Sequence, residues 1–303
     1  MARRKKPMTP PEASPPDTLV TIHDGLTRQR AGLFRLVLLS AGVDAHMAGS
    51  ANSWRIRVPA HAKSAAAASI AAYLSENEEP ALPLPAWPAF RTWAGIGMAL
   101  VILAAHLAIH FSGQTAALQR IYNASAANIL DGRLYRIVTA LFLHADGLHL
   151  IGNMVGLALF GTAVCSVAGF GAGSLMILVS GMAGNLLNAL LFQSGHHSIG
   201  ASTAVFGAVG IISAHLFSVK WQQFGHRLKT WLPLASGLAL LAILGASIET
   251  DVTAHLFGYL SGCIIGMVFT SAWKASPGRK TQYICLLAAV ILILASFLSA
   301  IFP

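Results

Sequence analysis

From Trp93 onward the chain alternates long apolar runs with short polar breaks. About 20 consecutive apolar residues cross the hydrocarbon core of a bilayer. Seven runs reach roughly that length, at 92–111, 147–168, 172–193, 198–217, 230–248, 252–272 and 282–302. The pattern predicts a polytopic helical membrane region. The segment 112–146 breaks the series, being too long for a tight turn and too polar to cross. It mixes Tyr122, Leu134, Tyr135 and Arg136, which suits a segment lying in the interface. Before Trp93 the periodicity differs. "TLVTIH" and "SWRIRVP" alternate like strands, whereas "LTRQRAGLFRLVLLSAG" and "AHAKSAAAASIAAYLSENEE" have helical spacing. The order β-α-β-β-α predicts a small soluble α/β module over 18–80, a ferredoxin-like fragment. A disordered tail is expected over 1–17 and a proline-rich linker over 81–91, ahead of a six-span unit at 92–272 and a seventh helix within 273–303.

Composition agrees with a membrane protein. Charged residues make up 10% of the chain, against about 25% in soluble domains. The mean hydropathy is +0.64. The net charge of +9 could suit nucleic acid, but 10 of the 20 Lys and Arg residues fall within 1–90 and most others in short loops. They read as topology signals, with no nucleic-acid partner. No secretory signal is expected, because "MARRKKPMTPPEASPPD" is followed by no apolar region. Cys165, Cys263 and Cys285 lie in apolar runs without metal-like spacing, so they read as packing residues.

Loop charges set an orientation. The 218–229 loop carries Lys220, Arg227 and Lys229, and the 273–281 loop carries Lys274, Arg279 and Lys280. The loops near 194–197 and 248–251 have neither Lys nor Arg, and the second holds Glu249 and Asp251. The basic loops and the N-terminal module are therefore expected on the cytoplasmic side and the C-terminus outside. Arg120, Arg133 and Arg136 break the rule, and are read as holding the 112–146 segment to lipid headgroups.

With this alternation, spans two, four and six run in one direction, from outside to inside. Each carries polar residues near its start: His149 and Asn153, then Ser202, then His255. At 1.5 Å per residue they share a shallow depth. Polar side chains in a membrane are costly unless they face protein or water, so a small hydrated cavity open to the outside is expected. Serine becomes a nucleophile when a histidine accepts its proton. Bringing Ser202 to His255 requires close helices. Gly200, Ala204, Gly207 and Gly210 on span four and Gly258, Gly262 and Gly266 on span six permit that approach. His149 and Asn153 share a helical face and could bind an oxyanion together with the Ser202 backbone N–H.

These residues resemble the rhomboid intramembrane serine proteases. The likeness rests on "HADGLHLIGN" (His144, His149, Asn153), "GAST" around Ser202, "AHLFGYLSG" (His255, Gly258, Gly262), and "LYRIVTALFLH", with Tyr135 in the place of the family's tryptophan and Arg136 kept. It covers residues 92–272. The resemblance implies a six-helix core plus one C-terminal helix. It implies Ser202 as nucleophile, His255 as base, and His149 and Asn153 as oxyanion donors, with no metal and no cofactor. Partners would be transmembrane protein substrates and the lipid bilayer, and the setting a multi-pass protein of a bacterial inner (plasma) membrane. The alternative is a catalytically inactive rhomboid-like protein that binds membrane clients. The family has glycine after the serine where this chain has Thr203, which is expected to narrow the cleft and favour small residues at the cut.

Other polar residues have plainer readings. Asp251, four residues before His255, reads as the N-cap of span six rather than a third catalytic group. His106 and His110 are four apart but lack an evident third metal ligand. His196 and His197 read as loop residues at the cavity mouth, and His144 as ordering the segment before span two. Asn185 and Asn188 read as interhelical hydrogen-bond partners.

Overall fold

A computed structural model describes residues 18–50, 53–77, 90–244, 251–272 and 277–301. The chain divides into two compact units, 1–81 and 82–303.

The first unit holds β1 (Leu19–Leu26), α1 (Arg28–Ser40), β2 (His46–Ser50), β3 (Ser53–Pro59) and α2 (Lys63–Asn77). β3 pairs antiparallel with both β1 and β2, giving the order β1-β3-β2. β1 and β2 therefore run parallel with β3 between them, the split βαβ arrangement expected from the alternation. Ile56 and Val58 of β3 pack beneath Phe34, Leu38, Ala66 and Ile70 of the two helices.

The second unit is helical. It comprises α3 (Ala94–Phe111), α4 (Thr115–Tyr122), the two-residue β4 (Ala124–Ser125), α5 (Ala126–Leu130), α6 (Arg136–Thr139), α7 (Gly147–Gly156), α8 (Thr162–Ala168), α9 (Phe170–Phe192), β5 (His197–Ser198), α10 (Ser202–Phe224), α11 (Leu228–Leu244), α12 (Val252–Ala272) and α13 (Arg279–Ile301). A π-helical turn at Leu157–Gly161 joins α7 to α8, so the two form one span. Among the described residues six helices are long and apolar enough to cross a membrane, and α11 is a shorter apolar helix at the place of the fifth predicted span. The protein is a multi-pass helical membrane protein. The end of the fifth predicted span, 245–248, lies outside the described residues.

The 112–146 segment folds around Arg136. This side chain is buried. Its Nη1 donates to the Arg120 carbonyl (3.1 Å), the Asn123 carbonyl (3.0 Å) and Asn123 Oδ1 (2.9 Å). Arg136 therefore ties the segment to itself. The expectation that it reaches lipid headgroups is corrected for this residue: its guanidinium is solvated locally by two backbone carbonyls and the Asn123 amide oxygen. Thr139 Oγ1 adds a bond to the Tyr122 carbonyl at 2.8 Å.

α10 is the central helix. Its glycines and those of α12 bring the two backbones into contact. A Cβ on Gly258 would strike the Thr203 carbonyl, one on Gly262 the Gly207 carbonyl, and one on Gly266 the Ile211 carbonyl. All three pairs are 55 residues apart. His215 Nδ1 and Thr270 Oγ1, at 3.0 Å, keep the same offset. A constant offset in register means parallel helices, as the span alternation requires. On the other flank Gly184 of α9 meets Thr203, and Ser180 meets Gly207. That register descends as α10 ascends, so α9 runs antiparallel.

Candidate active site

Three helices start at one end of the bundle, and each carries a predicted site residue in or just after its first turn. α10 starts at Ser202, four residues later than the apolar run indicates. The delay has a physical cause. His197–Ser198 is held as a strand against Ala124–Ser125, and Gly200 sits at φ +128°, a value L side chains rarely adopt. Ser202 thus occupies the first turn, where backbone N–H groups have no intrahelical acceptor.

His255 lies in the first turn of α12. Its Nε2 is 2.8 Å from Ser202 Oγ. Phe206, one turn below Ser202, lies with its ring centroid 4.8 Å from that of His255 and limits how the imidazole can turn. Sequence reasoning passed over Phe206, although its spacing of four from Ser202 was a usable signal.

His149 lies in the first turn of α7. Asp146 caps that helix, with Oδ1 accepting the His149 N–H at 2.8 Å. This bond holds the exposed Asp146 carboxyl below the usual carboxylate range. The His149 ring lies against Gly200: a Cβ there would be 2.6 Å from Nε2. Glycine is thus required both for the backbone angle and for the imidazole beside it. Asn153 is buried one turn further along α7, with Nδ2 donating to the His149 carbonyl at 3.1 Å.

Asp251 caps α12, accepting the Ala254 N–H at 3.0 Å. It does more than the cap the sequence indicated. Its Oδ2 is 2.6 Å from His196 Nε2 and 2.7 Å from Asn188 Nδ2, and Thr253 Oγ1 bridges to Asn188 Oδ1 at 2.7 Å. His196 also stacks on Phe192, with centroids 4.0 Å apart. The network joins α9, the strand leading to Ser202 and the cap of the helix that carries His255. Burial raises the Asp251 carboxyl, but hydrogen bonds from the Ala254 N–H, His196 and Thr253 outweigh it and leave the group below its ordinary value. Asn185 Nδ2 donates to the Ile137 carbonyl at 2.9 Å, so both asparagines bond outside their own helix.

A polar cavity adjoins the site, and one placement differs from expectation. A polar cavity of 250 Å³ exists, but its lining comprises His106, His110, Gln119, His144 and Asp146 among others, and not Ser202. It lies behind His149, whose ring centroid is 5.3 Å from that of His144. Thr203 does not line a cleft. It is 2% exposed, and its methyl would meet a Cβ on Gly184 at 2.5 Å and one on Gly258 at 3.1 Å. Successive helical side chains point about 100° apart, so Thr203 faces α9 and α12 while Ser202 faces His255. Among the described residues no group of three or more His, Cys, Asp or Glu could hold a metal ion.

Comparison with known proteins bears on the domain that carries these residues. A family model described as the rhomboid domain matches residues 131–272, the stretch that holds Ser202, His255, His149 and Asn153. Over that stretch the chain is a rhomboid domain. Among the relatives of this rhomboid, RHOMBOID-like protein 1 of Arabidopsis thaliana is 28% identical over 182 residues, covering 54% of this chain and 46% of the relative. Rhomboid-like protease 1 of Toxoplasma gondii is 29% identical over 208 residues, 67% of this chain and 66% of the relative. Rhomboid-like protease 3 of the same organism is 28% identical over 191 residues, covering 63% and 71%. The rhomboid chain spans about half the length of the first of these relatives. These relatives are eukaryotic and lend no support to a bacterial inner membrane as the compartment.

Proposed function

We propose that this rhomboid is an intramembrane serine endopeptidase that cleaves transmembrane or juxtamembrane segments of other proteins. The observation that carries the reading is the 2.8 Å separation of Ser202 Oγ and His255 Nε2. At that distance the hydroxyl donates to Nε2 when the ring proton sits on Nδ1. Ser202 attacks the scissile carbonyl as its proton passes to His255. The carbonyl oxygen, now an oxyanion, is bound by the free N–H of Ser202 with His149 and Asn153. Breakdown sends the proton from His255 to the leaving amine, and a water activated by the same imidazole releases the acyl group. The chemistry needs no metal or organic cofactor.

The basic residues Lys220, Arg227, Lys229, Arg279 and Lys280 gather at the bundle end opposite Ser202. That asymmetry supports a cytoplasmic N-terminus, an outer C-terminus and a site open to the outer side. Substrates follow from the chemistry. A carbonyl bonded within a helix is hidden from the nucleophile, so segments whose helix unwinds easily are favoured.

The test is labelling by a fluorophosphonate probe in detergent, with cleavage of a transmembrane model substrate. Wild type is expected to label and cleave, and Ser202→Ala and His255→Ala to do neither while unfolding at the wild-type temperature. A wild type that binds substrate but never labels would assign the chain to the non-catalytic, client-binding class.

A further inference from the structure

An apolar groove of 780 Å³ lies outside the catalytic constellation, walled by α3 and α13. Val101 of α3 and Leu294 of α13 face it and are 53% and 57% exposed, so it opens sideways to the surrounding bilayer. Leu141, Leu178, Ala201 and Ala204 also line it. Ala201 and Ala204 flank Ser202 in sequence, so the groove ends behind the nucleophile. α13 is fixed at both ends. Gln282 bonds the Gly171 and Ala172 N–H groups at 2.8 and 3.0 Å, and Phe297 packs on Tyr122 and Phe142.

Lining and charge choose the occupant. The groove follows α3 from Ala94 to Ile102 and α13 from Leu286 to Leu294, about 12 Å of helix in each case. Its almost wholly apolar lining and sideways opening suit an acyl chain of the surrounding bilayer. Arg91 and Trp93 stand at its mouth. This is the end opposite Ser202, because the Phe90 N–H bonds the Ser166 carbonyl and Gln282 bonds the start of α9. Arg279 and Lys280 begin α13 at the same end. Between 147 and 248, and from 252 to 303, the sequence has no Asp or Glu. Among the described residues Arg91 has no ion-pair partner.

We infer that this groove binds an acyl chain of an anionic phospholipid, whose phosphate is held by Arg91. The lipid would brace Ala201 and Ala204 from behind, a role separate from the chemistry.

The experiment is native mass spectrometry of the full chain, released from detergent after equilibration with equimolar phosphatidylglycerol and phosphatidylcholine carrying identical acyl chains. Wild type is expected to retain one phospholipid, with phosphatidylglycerol favoured about fivefold, the contribution of one basic side chain at an anionic headgroup. Arg91→Gln, a change at the rim, should remove most of that preference. Val101→Phe and, separately, Ala289→Phe should fill the groove and lower retention of both lipids. Equal retention of the two lipids by wild type, or retention unchanged in both Phe variants, overturns the proposal. So does a photocrosslinker at Val101 that captures a substrate helix instead of lipid.

Discussion

α10 and α13 are both 23-residue apolar helices, yet they are held in opposite ways. Thirteen residues of α10 are buried and only two of α13, Gln282 and Ala289. Against α12, α10 packs backbone to backbone, with Gly258, Gly262 and Gly266 seated on carbonyl groups. α13 is attached near its ends and leaves a groove beside it. In lipid the hydrophobic effect gives little drive for helices to associate, so close contact of small residues must supply it. Rigidity is therefore concentrated between the two helices whose first turns fix the Ser202–His255 distance. The periphery is left to the bilayer.

The sharpest way to break that contrast is Gly262→Val. Its side chain would strike the Gly207 carbonyl, which belongs to a backbone that cannot swing aside. Overpacking costs about 1–3 kcal/mol, and a backbone obstacle puts this case at about 3. Cleavage should fall with stability as α10 and α12 part. Leu287→Ala on α13, at a position 60% exposed, is the control and should change stability by less than about 0.5 kcal/mol. Thermal unfolding and turnover in one detergent test both. Wild-type turnover in Gly262→Val would show that backbone contact does not set the dyad.

The sequence made the spans, their alternation and the meeting of Ser202 with His255 legible, because apolar run length and the shared depth of Ser202, His149 and His255 are one-dimensional signals. It hid what depends on packing direction. Thr203 was read as lining a cleft because it follows Ser202, and only the positions of α9 and α12 show that its side chain faces Gly184 and Gly258. Arg136 was assigned to headgroups because its carbonyl partners, at Arg120 and Asn123, are 16 and 13 residues away and carry no sequence signature. The Asp251–His196 contact spans 55 residues and was equally invisible.

A second test bears on the end of the bundle that holds His144 and His149, where polar side chains gather. Burial, then the neighbouring His149 and His106, push the His144 imidazole down to about 3 from 6.5. The folded protein therefore disfavours a proton that the unfolded chain accepts. This contribution to stability is complete above pH 6.5 and is lost as the pH falls from 6.5 toward 3. Between pH 6.5 and 5 the loss is about 2 kcal/mol at most. Unfolding temperature should fall over that interval in wild type and much less in His144→Asn. Identical profiles would mean that His144 is protonated or solvated in the fold.

The foot of α13 should respond more weakly. Gln282 Oε1 accepts from Gly171 and Ala172, and Nε2 donates to the Ala168 carbonyl at 2.9 Å, so one side chain caps α9 from another helix. Gln282→Ala leaves buried groups unpaired and should cost about 1.5 kcal/mol. Turnover at low temperature should stay at the wild-type rate, because no part of the dyad rests on α13. Loss of activity without loss of stability would tie the seventh helix to the site and weaken the contrast.

The smallest expected effect is at Thr203, where two readings of one residue make opposite predictions. If its side chain narrowed the cleft, Thr203→Gly would admit bulkier residues at the cut. The structure instead puts the methyl between Gly184 of α9 and Gly258 of α12, at a position 2% exposed. There it fills the space that two glycines leave, and no substrate can reach it. Removing it opens a small gap and places a third glycine at a crossing that already has two, a loss of about 1 kcal/mol. Thr203→Val keeps the shape and should lie closer to wild type in stability. Cleavage of a substrate series differing only in the residue at the cut decides between the readings. An unchanged size preference in Thr203→Gly, with a slightly lower unfolding temperature, supports the packing role. A widened preference would return Thr203 to the cleft and mean that the first turn of α10 is rotated from the position described.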